Sequence, residues 1–125
     1  MLFRSGQSLL AVKTNDGTLW RISLVDDGVA EVKLAEPVTK GDGLVLALGD
    51  LFVVRNFENR ISRIDLGLGS DEAPRPVITW SPEDLNVPTT AVFVPGRNPS
   101  LMLVNSQFGK DPPSLPFSLV TVPID

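Results

Sequence analysis

The chain contains no histidine and no cysteine, and these two absences remove most of the familiar catalytic apparatus. Without imidazole there is no Ser-His-Asp or Cys-His relay, no histidine proton shuttle and no imidazole-bound zinc. Without thiol there is no disulfide to staple the fold and no thiolate to attack or to hold a metal. Long apolar runs are missing as well. The amino-terminal stretch MLFRSGQSLLAVK is too short in its apolar part for a signal peptide or a membrane span, so a cytoplasmic location is the default expectation and no membrane partner is expected. The 15 acidic and 11 basic residues balance to −4 with no block of like charge, which argues against nucleic acid as a partner. Neither a Walker loop nor a GxGxxG element occurs; Gly67-Leu68-Gly69 sits in a polar hairpin with no helix to follow and reads as a turn. No segment sustains a helical period.

What the sequence does contain is a repeat. Leu9 to Leu24 reads LLAVKTNDGTLWRISL, and 42 positions later Leu51 to Leu66 reads LFVVRNFENRISRIDL. The two align without a gap. Identities fall at Leu9/Leu51, Val12/Val54, Arg21/Arg63, Ile22/Ile64 and Leu24/Leu66, while Lys13/Arg55 and Asp16/Glu58 match in charge. A third, worn copy, LMLVNS, begins at Leu101, 50 positions after Leu51. Units of that length, each holding several short apolar runs divided by turn residues, match the blade of a β-propeller rather than any helical repeat. Ten glycines, eleven prolines and 42 % apolar residues suit short buried strands joined by tight turns.

The expected fold is therefore all-β, a partial β-propeller of about three consecutive antiparallel blades, one complete and two incomplete, over residues 8–36, 42–80 and 88–125. In the first unit, 8–13 and 18–24 pair across the hairpin signal Asn15-Asp16-Gly17, and 29–34 follows as a more exposed strand. In the second, GLVLAL over 43–48 is an inner strand buried on both faces, followed by strands over 51–55, 60–66 and 77–80. The third offers 89–94, 101–105 and 117–122, with the proline-rich 110–116 as a loop. Closed propellers usually need at least four blades, so three alternatives stay open. The sequence is a piece of a longer one, self-association or a partner chain completes the ring, or the sheets pack in another way.

The chemistry left to this composition is carboxylate, amide and hydroxyl oxygen, ligands that suit calcium, magnesium or manganese and serve zinc at lower preference. In a propeller such groups gather where the inner strands start. Asp42, between Gly41 and Gly43, stands at one such start and Thr89-Thr90 at the next. Asp42 is a metal-ligand candidate or a turn former whose side chain caps nearby amides. Asn56 and Asn105 follow the second strands of successive units, at what read as matching places, and serve either turns or hydrogen bonds at the rim. Arg55 ends a strand, as one half of an ion pair, a solvated charge or a contact for an anionic ligand. Trp20 and Trp80 read as covers for sheet faces, with carbohydrate stacking as the alternative.

Gly41-Asp42-Gly43-Leu44, the strands over 51–56 and 60–66, and Pro88-Thr89-Thr90-Ala91-Val92-Phe93 followed by Leu101-Met102-Leu103-Val104-Asn105 together resemble the carboxy-terminal part of the six-bladed propellers of the gluconolactonase, senescence-marker-protein and luciferin-regenerating-enzyme family. The resemblance covers nearly all of this chain and less than half of the family's domain. It implies a divalent metal in the central channel, calcium, zinc or similar, held by a Glu of the first blade, amide oxygens of middle blades and an Asp in a Pro-Asp-Gly-like turn, opening sugar lactones. Asp42 is the counterpart of that Asp, with Gly41 in place of the proline. The Glu and the amide ligands are expected to lie before residue 1, so the resemblance implies either a piece of a lactonase-like hydrolase, inactive alone, or a non-catalytic propeller scaffold or binding module.

Overall fold

The computed structural model describes residues 2–5, 7–67 and 71–125. Over these residues the chain is all-β, with no helix and three antiparallel sheets, each a meander in chain order. Sheet 1 contains β1 (Leu2–Ser5), β2 (Ser8–Lys13), β3 (Thr18–Ser23) and β4 (Val29–Val32). Sheet 2 contains β5 (Gly41–Ala47), β6 (Asp50–Arg55), β7 (Arg60–Asp65) and β8 (Val77–Trp80), and sheet 3 contains β9 (Pro88–Val94), β10 (Ser100–Asn105) and β11 (Leu119–Pro123). The three expected sheets and the four-stranded central one are present. Sheet 1 corrects the expectation, since it has four strands instead of three: β1 pairs with β2 from Leu2↔Ala11 to Ser5↔Ser8. A four-residue run carries too little periodicity to announce itself. The Gly67-Leu68-Gly69 turn lies partly outside the described residues.

The repeat is visible in the turns. The β2–β3 and β6–β7 hairpins place Gly17 (φ 72°) and Asn59 (φ 51°) at aligned positions, and Gly109 (φ 83°) takes the corresponding place after β10. Glycine and asparagine both tolerate the left-handed region. Gly17 is constrained twice, because a Cβ there would lie 2.5 Å from the Thr39 amide nitrogen.

The core has two halves, divided by sheet 2. Along β6 successive side chains point to opposite faces. Leu51 and Val53 face sheet 1, where they meet Leu10, Val12, Leu19 and Val32 together with Ile64 and Val38. Phe52 and Val54 face sheet 3, where they join Ile61, Leu101, Leu103 and Val122. Every residue from Leu51 to Arg55 is buried. This suits the nearly continuous apolar runs of β5 and β6. Trp80 covers the sheet 3 side of the core, edge-on to Phe52 with ring centroids 6.4 Å apart. Trp20 is half-buried on the far face of sheet 1, its indole N–H donating to Thr18 Oγ1.

Sheets 1 and 2 are also clamped by charge. The Arg21 guanidinium reaches Asp71 at 2.7 Å, Arg75 reaches the same carboxylate at 3.0 Å, and beside them Leu34 and Arg75 form a parallel bridge. The Arg21 hydrogen bond, with that of Arg75, holds the Asp71 carboxyl below its ordinary value of 3.8. Its contribution to stability is therefore complete above that value and is lost as pH falls toward the folded-state pKa. Asp71→Asn should lower the urea midpoint at pH 7, and the gap from the parent should close as pH drops below 3.8; a gap that stays constant to pH 2.5 would show that the carboxylate charge is not what clamps the sheets. In the core, Phe52→Ala should cost about 3–5 kcal/mol in urea unfolding and the exposed Val25→Ala less than about 0.5 kcal/mol.

Candidate functional site

The starts of β5 and β9 are built alike. In sheet 2, Gly41 pairs with Arg55 and Leu44 with Val53, so Asp42 and Gly43 oppose the single residue Val54. In sheet 3, Pro88 pairs with Asn105 and Ala91 with Leu103, so Thr89 and Thr90 oppose Val104. Both are β-bulges, which bend the strand and re-aim its side chains. Each is entered through a left-handed residue, Lys40 (φ 60°) or Val87 (φ 49°). The carbonyl of each accepts the amide that follows the second strand, Asn56 N–H at 3.0 Å and Ser106 N–H at 3.1 Å. Asp42 thus corresponds to Thr89 and Gly43 to Thr90.

The structure brings Asp42 and Thr89-Thr90 together. A Cβ on Gly43 would lie 2.6 Å from Thr90 Cα and 2.7 Å from the Thr89 carbonyl oxygen, so the two inner strands touch backbone to backbone and only glycine fits. A Cβ on Gly41 would likewise meet Val12 and Val53. The glycines flanking Asp42 are therefore close-approach positions, which places the carboxylate at the junction of the sheets. Asp42 and Thr89 are half-buried and Thr90 is exposed. Asn56 Nδ2 approaches Asp42 Oδ2 at 3.4 Å, while the Asn56 Oδ1 accepts the Phe57 amide at 2.6 Å.

Register also corrects one pairing. Asn105 opposes Pro88 as Arg55 opposes Gly41, so Asn105 corresponds to Arg55, and Asn56 to Ser106. Arg55 and Asn105 are buried and committed to structure. Arg55 donates through Nε to the Thr39 carbonyl at 2.8 Å, through Nη2 to Thr39 Oγ1 at 2.9 Å and through Nη1 to Ser62 Oγ, and it pairs with Glu58. Asn105 donates to the Asp84 carbonyl at 2.7 Å and to Ser118, and accepts the Asn86 amide at 2.9 Å. These are latches that hold the incoming linkers to the sheets, with no donor turned to a ligand.

The sequence pointed to Arg55 without its partners Glu58, Thr39 and Ser62. Its one signal was the repeat: Lys13/Arg55 and Asp16/Glu58 match in charge, and both pairs form three residues apart, Lys13 with Asp16 at 2.8 Å. The burial differs. The Lys13 side chain is 58 % exposed and the Arg55 side chain 7 %. Asn59 was missed as well; its Oδ1 accepts the Val87 amide at 2.7 Å, tying the β6–β7 hairpin to the entry of sheet 3. Beside Asn105 lies an open hollow of about 720 Å³ lined by Gln107, Ser114, Ser118 and Leu119. Gln107 and Ser114 close on each other there through two hydrogen bonds, at 2.6 and 2.7 Å.

A divalent ion finds a poor fit around Asp42. One carboxylate and the threonine hydroxyls are at hand, the Asn56 carbonyl oxygen is turned to Phe57, and among the described residues no three acidic, histidine or cysteine side chains gather in one place. Hard cations take six or more oxygens. Compared with protein-family models, curated proteins and solved structures, the chain matches none.

The two aligned ion pairs make a controlled comparison. Glu58→Ala strands a buried guanidinium and should destabilise the chain by about 3–5 kcal/mol in urea unfolding. Asp16→Ala, which breaks the exposed copy, should barely move the midpoint. Equal effects would show that burial does not distinguish the two.

Proposed function

We propose that the chain is a module of a β-propeller-type repeat protein, a three-bladed portion whose own residues serve assembly and binding instead of hydrolysis. One observation carries this reading: the bulge, the left-handed entry residue and the carbonyl-to-amide latch recur in sheets 2 and 3. A recurrent device at the inner end of each meander is what a radial repeat requires, because every blade must meet its neighbour in the same way. The inner strands β5 and β9 adjoin, as do β1 and β5, while the residues once open to a ligand role, Arg55 and Asn105, are spent on holding the repeat together.

A second reading, part of a metal-dependent lactone hydrolase, is favoured by the position of Asp42 in its Gly41-Asp42-Gly43 bulge. On this chain alone Asp42 would supply one carboxylate to the ion that such a hydrolase uses to polarise a lactone carbonyl, and the rest of the oxygen shell would have to come from elsewhere.

Calcium and zinc titration by calorimetry, alongside a sugar-lactone hydrolysis assay, separates the two. The module reading expects dissociation constants weaker than about 1 mM, unchanged by Asp42→Ala, and no lactone turnover above buffer. Binding tighter than that, abolished by Asp42→Ala and accompanied by turnover, would replace it with the hydrolase reading.

A further inference from the structure

The three sheets are stacked front to back, and the stacking is the same at both junctions. Sheet 1 turns Leu10, Val12 and Leu19 toward sheet 2, which meets them with Leu51, Val53 and Ile64. Sheet 2 turns Phe52, Val54 and Ile61 toward sheet 3, which meets them with Leu101, Leu103 and Val122. The registers make these sets equivalent. Leu51 pairs with Ile64 as Leu101 pairs with Val122, and Val12 pairs with Leu19 as Val54 pairs with Ile61. Each sheet therefore has a front of one kind and a back of another, and a front always meets a back.

Two such faces are left over. The front of sheet 3 carries Val92, Met102, Val104 and Leu119, the register equivalents of Val45, Phe52, Val54 and Ile61. In sheet 2 those four are buried, whereas Val92 is 58 %, Val104 40 % and Leu119 62 % exposed. The back of sheet 1 carries Leu9, Ala11 and Ile22, the equivalents of Leu51, Val53 and Ile64. Those equivalents are fully buried, and Leu9, Ala11 and Ile22 are only half-buried. One chain thus displays, at opposite ends, both halves of an interface that it already forms twice within itself. Apolar faces of this kind on a chain in water mark interaction sites.

We infer that the front of sheet 3 receives the back of sheet 1 from a second copy of this chain. The contact is head-to-tail, so its two sides differ, and the copies close into a ring if the rotation per chain allows it. This rests on the module reading above and extends it by naming the partner. The occupant is specified by the chain itself, since the face complementary to the front of sheet 3 is the one that covers its equivalents at both internal junctions.

The asymmetry gives the test. Light scattering and sedimentation of the 125-residue chain should show a concentration-dependent species larger than 13.5 kDa at tens of micromolar. Val104→Lys on the front or Ile22→Lys on the back should each weaken association by more than about tenfold, because an unpaired charge would be carried into an apolar contact. Mixing the two variants should restore dimers, since each keeps one intact face. The absence of cysteine allows a second, background-free measurement on the otherwise unaltered chain. Val104→Cys and Ala11→Cys copies treated with a short bis-maleimide should cross-link when mixed and not when each is alone. Cross-linking of Val104→Cys with itself as efficient as in the mixture would make the contact front-to-front and overturn the inference. A chain that is monomeric at 200 µM, with a β-type circular dichroism spectrum and a cooperative urea transition, would also overturn it. That result would leave the module reading intact, which metal-dependent lactone turnover alone would remove.

Discussion

Burial of both faces of sheet 2 is the constraint on which the rest of the structure depends. Four consecutive residues of β6, Leu51 to Val54, are 0 % exposed, and because a strand alternates its side chains they divide evenly between two cores. Each outer sheet hides its apolar face from water only against this partner. A slip of one residue in the β6 register would exchange the two cores. The pairs Asp50↔Asp65 through Arg55↔Arg60 run without interruption, and Arg63 reinforces them by reaching Asp50, the Ile124 carbonyl and the face of Phe52.

Polar groups act at the margins of that core. The Arg55–Glu58–Thr39 network and the Arg21–Asp71–Arg75 clamp sit where linkers enter or leave sheet 2. Buried Arg55 is met by carbonyl, hydroxyl and carboxylate oxygens and buried Arg75 by carbonyl and carboxylate oxygens, the condition under which burying a charge is tolerable. The apolar cores hold the sheets face to face and these networks fix where the connecting chain attaches. The first of these networks occupies Arg55, one of the residues whose type and position first suggested a ligand role.

The sheets, their turns and the repeat were legible because they are written in local signals: period-two alternation, Asn-Asp-Gly, and a 42-residue offset with charge-matched positions. Strand β1 was not, since four residues carry no usable period. The equivalence of Asn105 with Arg55 was legible in the 50-residue offset that aligns Leu101 with Leu51, and the register agrees with it; it was the shared residue type of Asn56 and Asn105 that suggested the other pairing. At the candidate site, the strand-start position of Asp42 was readable, and its neighbours were not. That Gly43 meets Thr90 and that Asn59 caps Val87 are contacts between units, which no window along the sequence contains.

Gly43 has a geometric consequence. At the β5–β9 junction the sheets are separated by backbone alone, whereas farther out along the meander Phe52 and Trp80 stand between them, and the β8 backbone does not come close to a strand of sheet 3 among the described residues. The two sheets are thus wedges sharing a thin edge. The thickness of the thin edge is fixed by the absence of a side chain, and the opening angle is fixed by the volume of the aromatic groups behind it. Angle and contact are set by different residues, so enlarging or trimming the outer aromatics would swing one sheet about the glycine as a hinge pin.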